Sequence, residues 1–243
     1  MGTPYDTSPI IVALDYDNRR QASAMGRALA GAGCAVKVGK ELFTRAGPSI
    51  LEELAHMGHQ TFLDLKYHDI PNTVAGACRA AADMGVWMLN VHTQGGQRMM
   101  EAAANAVANY GERPLVVGVT VLTSLDEDDL IAQHINDTVS DHVSLLAAMA
   151  EESGLDGVVC SPREVERVSA ERSAGFHLVT PGIRSADSAP DDQRRKASVE
   201  EAMAWGSTHL VVGRPITAAD NPMASFHEHD GRARAHLLDV GHG

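Results

Sequence analysis

The hydrophobic and polar positions of this chain divide it into short apolar runs separated by longer amphipathic segments. The apolar runs, rich in β-branched residues, are residues 10–14, 35–38, 61–65, 88–91, 115–121, 157–159, 177–180 and 209–212. Runs of this length are typical of strands, and nearly continuous apolar character indicates a parallel sheet that is buried on both faces. The pattern therefore predicts a set of buried parallel strands.

The segments between the apolar runs are rich in alanine and repeat with the period of a helix. The clearest are residues 21–32, 73–84, 98–109, 143–152 and 199–205. Many end at a glycine shortly before the next run, as helix C-termini prefer. Eight strand–helix units in 243 residues are typical of a TIM (β/α)8 barrel, an α/β fold, and we predict one such domain over residues 1–243.

A doubly wound open sheet is the alternative fold for this pattern. That fold usually carries a glycine-rich phosphate turn after its first strand. Here the first strand is followed by residues 15–18, Asp-Tyr-Asp-Asn. The barrel is therefore the favoured fold.

Composition excludes several classes of function. The formal net charge of -12 argues against non-specific nucleic-acid binding, which needs a basic face. An aromatic content of 4% leaves no stacking platform for bases. No run approaches a membrane span and the N-terminus has no apolar signal core, so we expect neither membrane insertion nor export. Cys34, Cys78 and Cys160 are too far apart to suggest a zinc site or disulfides, which fits the cytoplasm.

Polar residues gather at the ends of the predicted strands, where barrels carry their chemistry. The group is densest in residues 61–73, TFLDLKYHDIPNT. Side chains on a strand alternate between faces, so Asp64 and Lys66 point the same way, and Asp69 follows just beyond. Buried charges need close partners of opposite sign. In isolation these residues would be interpreted as a structural ion pair, but polar residues at so many strand ends favour an active site.

The ends of strands seven and eight predict a phosphate site. Gly182 and Gly213 stand where barrels commonly bind phosphate through backbone N–H groups, and Arg214 adds a bidentate donor. The following segment, residues 184–196, is long, polar and almost free of large apolar residues. We interpret it as a lid rather than an idle loop, with Gln193 reaching inward on closure.

Three histidines are weaker candidates for chemistry. His92 follows the fourth strand and could be a base, but a rim residue held by hydrogen bonds is the favoured interpretation. His227 and His229 resemble half of a metal site. Without a third ligand we expect both to be solvated, and we predict no metal.

Five motifs closely resemble the bacterial type of the orotidine 5'-phosphate decarboxylase family. They are residues 37–43 (KVGKELF), 63–73 (LDLKYHDIPNT), 119–124 (VTVLTS), 179–184 (VTPGIR) and 192–195 (DQRR). The resemblance runs from residue 11 to residue 216. It implies a TIM-barrel homodimer without metal or cofactor that converts orotidine 5'-phosphate to UMP and carbon dioxide in pyrimidine biosynthesis. The chain after Pro222 matches poorly and indicates nothing about function.

The same resemblance implies a role for each matching residue. Lys66 would donate a proton to C6 of the pyrimidine, and Asp64 would lie against the departing carboxylate. Lys37 and Asp69 would complete an alternating charge network, with Asp69 entering the active site of the other subunit. The implied substrate contacts are Asp15 and Lys37 at the ribose, Ile70 and Thr73 from the other subunit, Thr123 and Ser124 at the base, Pro181 near the ring, and Arg184, Gln193, Gly213 and Arg214 at the phosphate.

Two other functions remain as alternatives. Metal-dependent sugar-phosphate decarboxylases or aldolases of the same superfamily share the Asp-x-Lys-x-x-Asp motif. They carry a metal-binding glutamate at the end of strand two, where this chain has Lys37, which would repel a divalent cation. A non-catalytic nucleotide-binding barrel is the second alternative, but it would not need a costly lysine between carboxylates.

Overall fold

A computed structural model describes residues 8–183 and 197–240, with side chains described as far as residue 237. Within those residues, eight parallel strands close into a barrel in their order along the chain. They are β1 (Ile10–Ala13), β2 (Ala35–Gly39), β3 (Thr61–Tyr67), β4 (Met88–His92), β5 (Leu115–Val119), β6 (Gly157–Val159), β7 (His177–Thr180) and β8 (His209–Val212). The predicted TIM barrel is confirmed, with strand ends close to those expected from the apolar runs.

Helices connect the strands and cover the outside of the barrel. They are α1 (Arg19–Ala28), α2 (Lys40–Ala46), α3 (Ser49–His56), α4 (Pro71–Asp83), α5 (Gln97–Val107), α6 (Glu127–Ala132), α7 (Val139–Glu152), α8 (Pro162–Glu171), α9 (Val199–Ala204), α10 (Arg214–Thr217) and α11 (Pro222–Val240), with a 3-10 turn at Thr93–Gly95. The five helices expected from periodicity are all present. In the part of the chain that the structure describes, none of the helices is long and apolar enough to cross a membrane.

Side-chain capping explains where α7 begins. The prediction placed its start at residue 143, whereas the helix begins at Val139. The side chain of Thr138 accepts a hydrogen bond from the N–H of Asp141, which satisfies a donor that the first helical turn leaves free. Polar capping residues interrupt the apolar period, so periodicity alone places the helix start too late.

Alternation along the strands divides the core into an inner and an outer layer. Ile11 and Ala13 of β1 belong to the cluster inside the barrel, whereas Ile10 and Val12 pack outward against helices. The inner cluster is Ile11, Ala13, Ala35, Phe62, Met88, Val117, Val179 and Val211. Because both faces are apolar, the strands read as continuous hydrophobic runs.

Aromatic and imidazole rings close the N-terminal end of the barrel. The ring of His209 lies 5.4 Å from that of Trp87 and 5.2 Å from that of His177, measured between centroids. Burial first, and then the neighbouring His177, lowers the pKa of His209 to about 4. This end is filled by packed rings, and open space is found at the opposite end.

The C-terminal segment packs as a helix although its sequence matched poorly. Phe226 and Ala233 of α11 are fully buried, and the helix lies against α9 and β1. His229 is buried as well, and its Nδ1 contacts the carbonyl of Ser225 at 2.8 Å. The expectation that both histidines are solvated is therefore right for His227 and wrong for His229, because one helix face turns toward the barrel.

Replacing His209 with glutamine should reduce the loss of stability in acid. An unfolded histidine titrates near about pH 6.5, whereas the pKa of His209 in the fold is about 4. The unfolded chain therefore binds more protons between these values, and the free energy of unfolding falls as the pH decreases through them. The free energy of unfolding can be measured with urea at neutral pH and in acid. Its decrease between the two conditions should be smaller by about 2 kcal/mol in the variant than in the unaltered protein.

The control for this experiment is His227→Gln, which removes an exposed imidazole from α11. It should lose as much stability in acid as the unaltered protein. If His209→Gln also does so, the buried imidazole is not the cause of the acid sensitivity.

Candidate active site

A cavity of about 540 Å³ opens at the C-terminal ends of the strands. The residues in its wall that were expected from the sequence are Asp15, Lys37, Asp64, Lys66, Thr123, Pro181, Gly213 and Arg214. Gly182, expected at a phosphate site, also lines it. The structure thus brings together residues from strands that lie far apart in the chain.

The alternation of the strands aims these side chains inward. In β3, Phe62 faces the interior, and Asp64 and Lys66 follow at two-residue steps on the same face. In β2, Lys37 follows the interior residue Ala35 in the same way. Along β2 and β3, the inward-facing positions therefore continue from the apolar interior directly into the polar site.

Four charged side chains alternate in sign along the floor of the cavity. The Nζ of Lys37 lies 2.9 Å from Oδ1 of Asp15 and 3.4 Å from Oδ2 of Asp64. The Nζ of Lys66 lies 2.6 Å from Oδ1 of Asp64. Asp64 is therefore held between two ammonium groups.

The central pair of this set is buried and ionised. Burial alone raises the pKa of Asp64, but the charges of Lys37 and Lys66 outweigh burial, and the pKa is lowered. Burial alone lowers the pKa of Lys37, but Asp64 and Asp15 outweigh it, and the pKa is raised. Each charge thus depends on its neighbours to remain ionised away from water.

Asn90 also belongs to this set, although the sequence did not indicate a binding role for it. Its side chain is 1% exposed. Its Nδ2 donates to Oδ1 of Asp64 at 2.7 Å, and its Oδ1 accepts from the backbone N–H of Lys66 at 2.7 Å. Its place at the end of the fourth apolar run identifies it as a polar residue of this rim, but that place alone does not predict what it contacts.

His92 differs from the prediction of a rim residue held by hydrogen bonds. Its Nδ1 is buried and has no hydrogen-bond partner among the residues the structure describes. Its ring lies 5.5 Å from that of His68, between centroids. The pKa of His92 is lowered to about 4, mainly by burial and in addition by the nearby His68, Lys40 and Lys66. The ring is therefore neutral beside the lysine cations.

Three predicted residues of the loop after β3 lie outside the cavity wall. Asp69 is exposed, and its Oδ1 accepts a hydrogen bond from the N–H of Ile70 at 2.6 Å. The side chain of Ile70 is 68% exposed, and Thr73 on the first turn of α4 is exposed too. All three residues are exposed, and neither the wall of this cavity nor that of a second, smaller cavity includes them.

The remaining predicted residues fall into two groups. Ser124 is exposed and is not part of the cavity wall, whereas its neighbour Thr123 is. Arg184 and Gln193, with the segment 184–196 expected to form a lid, lie outside the described residues. Their roles stay predictions.

Two glycines line the cavity just after β7 and β8. Gly182 has φ of +85°, a left-handed conformation that side-chain-bearing residues rarely adopt. Gly213 precedes α10 and lies close to β1, where an added Cβ would come 3.8 Å from that of Ala13. Arg214, the first residue of α10, lines the cavity beside them.

A second cavity of about 270 Å³ borders the same charged set. It shares Asp15, Lys37, Asp64 and Lys66 with the first and is lined in addition by Tyr16, Gly39, Lys40, Glu41 and residues 14 and 42. The four charged side chains thus line both cavities.

The described side chains offer no arrangement suited to a metal ion. Among residues 8–183 and 197–240, no group of three His, Cys, Asp or Glu side chains is arranged to hold a metal ion. The donors that face the cavity include the ammonium groups of Lys37 and Lys66.

Comparison with known proteins places the chain in a family. Residues 8–228 match the model of the family described as "Orotidine 5'-phosphate decarboxylase / HUMPS family". The chain is 53% identical over 227 residues to orotidine 5'-phosphate decarboxylase of Neisseria gonorrhoeae, covering 93% of this chain and 92% of the relative. It is 53% identical over 225 residues to that of Chromobacterium violaceum, covering 93% and 91%.

A solved structure is similar over nearly the same length. The crystal structure of orotidine 5'-phosphate decarboxylase from Lactobacillus acidophilus superimposes with a TM-score of 0.84 at 38% sequence identity. The superposition covers 93% of this chain and 99% of that one. The similarity in fold and the similarity in sequence therefore indicate the same family.

Proposed function

Because the chain belongs to the orotidine 5'-phosphate decarboxylase / HUMPS family, we propose that Lys66, Asp64 and Lys37 carry out its reaction without a metal or an organic cofactor. The chain is an orotidine 5'-phosphate decarboxylase of pyrimidine biosynthesis, as its relatives at 53% identity over 93% of its length are named. The observation that carries the proposed mechanism is the alternation of charge across the cavity floor, with Lys37 and Asp64 buried at its centre.

The chemistry of the reaction calls for a fixed cation at the reacting carbon. Loss of carbon dioxide from C6 of the pyrimidine leaves a carbanion that has no conventional electron sink. A preorganised charge in a site that excludes water can stabilise such an anion. The ammonium of Lys66, held 2.6 Å from Asp64, supplies the charge and also the proton that replaces the carboxylate.

Asp64 has two functions in this proposal. Its carboxylate is ionised, since the pKa is lowered by Lys37 and Lys66 against the effect of burial, and it holds the ammonium of Lys66 in place. It also lies where the substrate carboxylate would come close, so departure of carbon dioxide relieves the repulsion of two like charges.

The substrate's phosphate lies at the other end of the cavity in this proposal. Gly182, Gly213 and Arg214 would bind it, and Asp15 with Lys37 would hold the ribose hydroxyls. Binding energy obtained far from the reacting carbon can be used to hold the substrate carboxylate against Asp64. Affinity for the phosphate then contributes to turnover.

Replacing Lys66 with alanine should remove nearly all turnover while UMP still binds, because Lys66 acts at C6 and not at the phosphate. Lys66→Arg is the matched control for charge. It keeps a cation, but a guanidinium does not release its proton in a protein, so it should be nearly inactive as well. The measurements are the loss of orotidine 5'-phosphate absorbance and calorimetric binding of UMP. If either variant keeps about a tenth or more of the wild-type turnover, the proton-donor role is contradicted.

Turnover should be unchanged after treatment with EDTA, since two ammonium groups face the space that a divalent cation would need. The assay compares chelated enzyme with enzyme supplied with magnesium. Activity that disappears with the chelator and returns with magnesium would show that the metal-free mechanism is wrong.

A second subunit is proposed to complete the site. Asp69, Ile70 and Thr73 are exposed and do not line the cavity, and Ile70 is a large apolar side chain that is 68% exposed. The second cavity leads to the ammonium groups of Lys37 and Lys66. In a two-fold homodimer, the loop of one subunit would enter this cavity of the other and place the carboxylate of Asp69 against those lysines.

Mixing two inactive variants tests this shared site. Lys66→Ala and Asp69→Asn subunits, exchanged by reversible dissociation, should form heterodimers with one doubly altered site and one intact site. With random exchange, activity per subunit should recover to about a quarter of the wild-type value. Verified exchange without recovered activity would mean that both residues serve the same subunit's site. The decarboxylase assignment does not depend on this result.

The compartment and domain organisation are further parts of the proposal. We place the enzyme in the cytoplasm, where its three free, buried cysteines would stay reduced. We infer one domain, because α11 packs on α9 and β1 of the barrel.

A further inference from the structure

We propose that Asn90 is a positioning residue, which sets the direction of Lys66 and holds Asp64 at the same time. This inference rests on the proposed role of Lys66 as the proton donor. It concerns a residue that lies one strand away from the reacting charges and acts through them.

The need for such a residue arises from an irregularity between β3 and β4. Leu63 of β3 lies opposite Leu89 of β4. The next paired residues are Tyr67 and Val91, so β3 contains more residues than β4 over the same length. Lys66 lies within this bulge and has φ of +52°, a left-handed conformation that is uncommon outside glycine. Its backbone N–H therefore needs an acceptor other than the regular ladder.

The side chain of Asn90 supplies this acceptor. Its Oδ1 lies 2.7 Å from the backbone nitrogen of Lys66, and its Nδ2 lies 2.7 Å from Oδ1 of Asp64. The orientation of the amide is determined by its partners, because the atom that faces an N–H must be oxygen and the atom that faces a carboxylate must be nitrogen. Asn90 is 1% exposed, so water cannot replace either bond at low cost.

One amide thus joins the two groups on which the reaction depends. Oδ1 of Asp64 accepts from both Nδ2 of Asn90 and Nζ of Lys66, the latter at 2.6 Å. A residue keeps a left-handed backbone such as that of Lys66 only while the surrounding structure fixes it. Without Asn90, Lys66 and Asp64 would lose the hydrogen-bond partner that they share. Their side chains could then shift, and productive geometry tolerates little displacement.

Two substitutions separate the two bonds. Asn90→Asp keeps an acceptor for the N–H of Lys66 but cannot donate to Asp64, and it brings a second carboxylate next to the first. Asn90→Leu has a similar size and can make neither bond. The matched control is Thr93→Val, which alters another buried polar side chain just after β4. Thr93 contacts the carbonyl of Val119 at 2.8 Å and no charged group.

The experiment measures kcat, KM, UMP affinity and amide hydrogen exchange of the peptide containing Lys66. Asn90→Leu should lower kcat by about tenfold or more while UMP affinity stays within about threefold. Exchange at the amide of Lys66 should become faster, because its acceptor is gone. For Asn90→Asp, the acid limb of the kcat/KM profile should move to higher pH by about one unit or more, since adjacent carboxylates cannot both ionise easily. Thr93→Val should change thermal stability alone.

A merely structural role for Asn90 gives different results. In that case both variants would lower the melting temperature while kcat per folded site stayed within about twofold of wild type and the pH profile stayed in place. That outcome overturns the inference. If Asn90→Leu does not fold, an unshifted pH profile of Asn90→Asp overturns it equally.

Lys66→Ala, measured in parallel, separates this inference from the proposed function. If Lys66→Ala is inactive while both Asn90 variants turn over normally, the assignment of Asn90 is wrong and the proton-donor role stands. If Lys66→Ala keeps its turnover, the proton-donor role is wrong, and the inference about Asn90 is rejected with it.

Discussion

The burial of Asp64 between Lys37 and Lys66 is the interaction on which the other features of the site depend. Asp64 and Lys37 each depend on charged neighbours, because desolvation by itself favours the neutral form of both side chains. With Lys66 they form an alternating row that begins at the more exposed Asp15. The row is costly to assemble and contributes little to stability. In the proposed mechanism, what it provides is a cation held in a fixed place for a reaction without an electron sink.

The barrel makes such a row possible because it separates a packed region from an open one. Along each strand the inward positions continue without interruption from apolar to polar residues, from Phe62 to Asp64 and Lys66 for example. Rings fill the N-terminal end, where Trp87 and His177 flank His209. Ligand space is therefore left at the C-terminal end, at the point where the charged side chains appear.

An unusual backbone conformation and an exposed loop both lie at the end of β3. Lys66 lies in a bulge with a left-handed backbone, and the loop beyond it exposes Asp69 and Ile70. Bulges redirect side chains and are common next to active sites. One short segment thus aims a lysine into the cavity and leaves a carboxylate exposed, which is consistent with the shared site that we propose.

The sequence by itself determined the barrel and brought its central charged residues to the ends of the strands. Period-two alternation and continuous apolar runs are local properties, so the strands and the inward direction of Lys37, Asp64 and Lys66 could be predicted from neighbouring residues alone. The ends of helices were less accurate, since polar caps such as Thr138 interrupt the apolar period.

Only the tertiary structure decided which polar groups meet. The bond between Asn90 and Lys66 depends on the register of β4 against a bulged β3. The unbonded Nδ1 of His92 and the burial of His229 depend on packing between elements that are distant in the chain. Residue type and spacing describe one strand or helix at a time, whereas register and packing are set by the free energy of the whole fold.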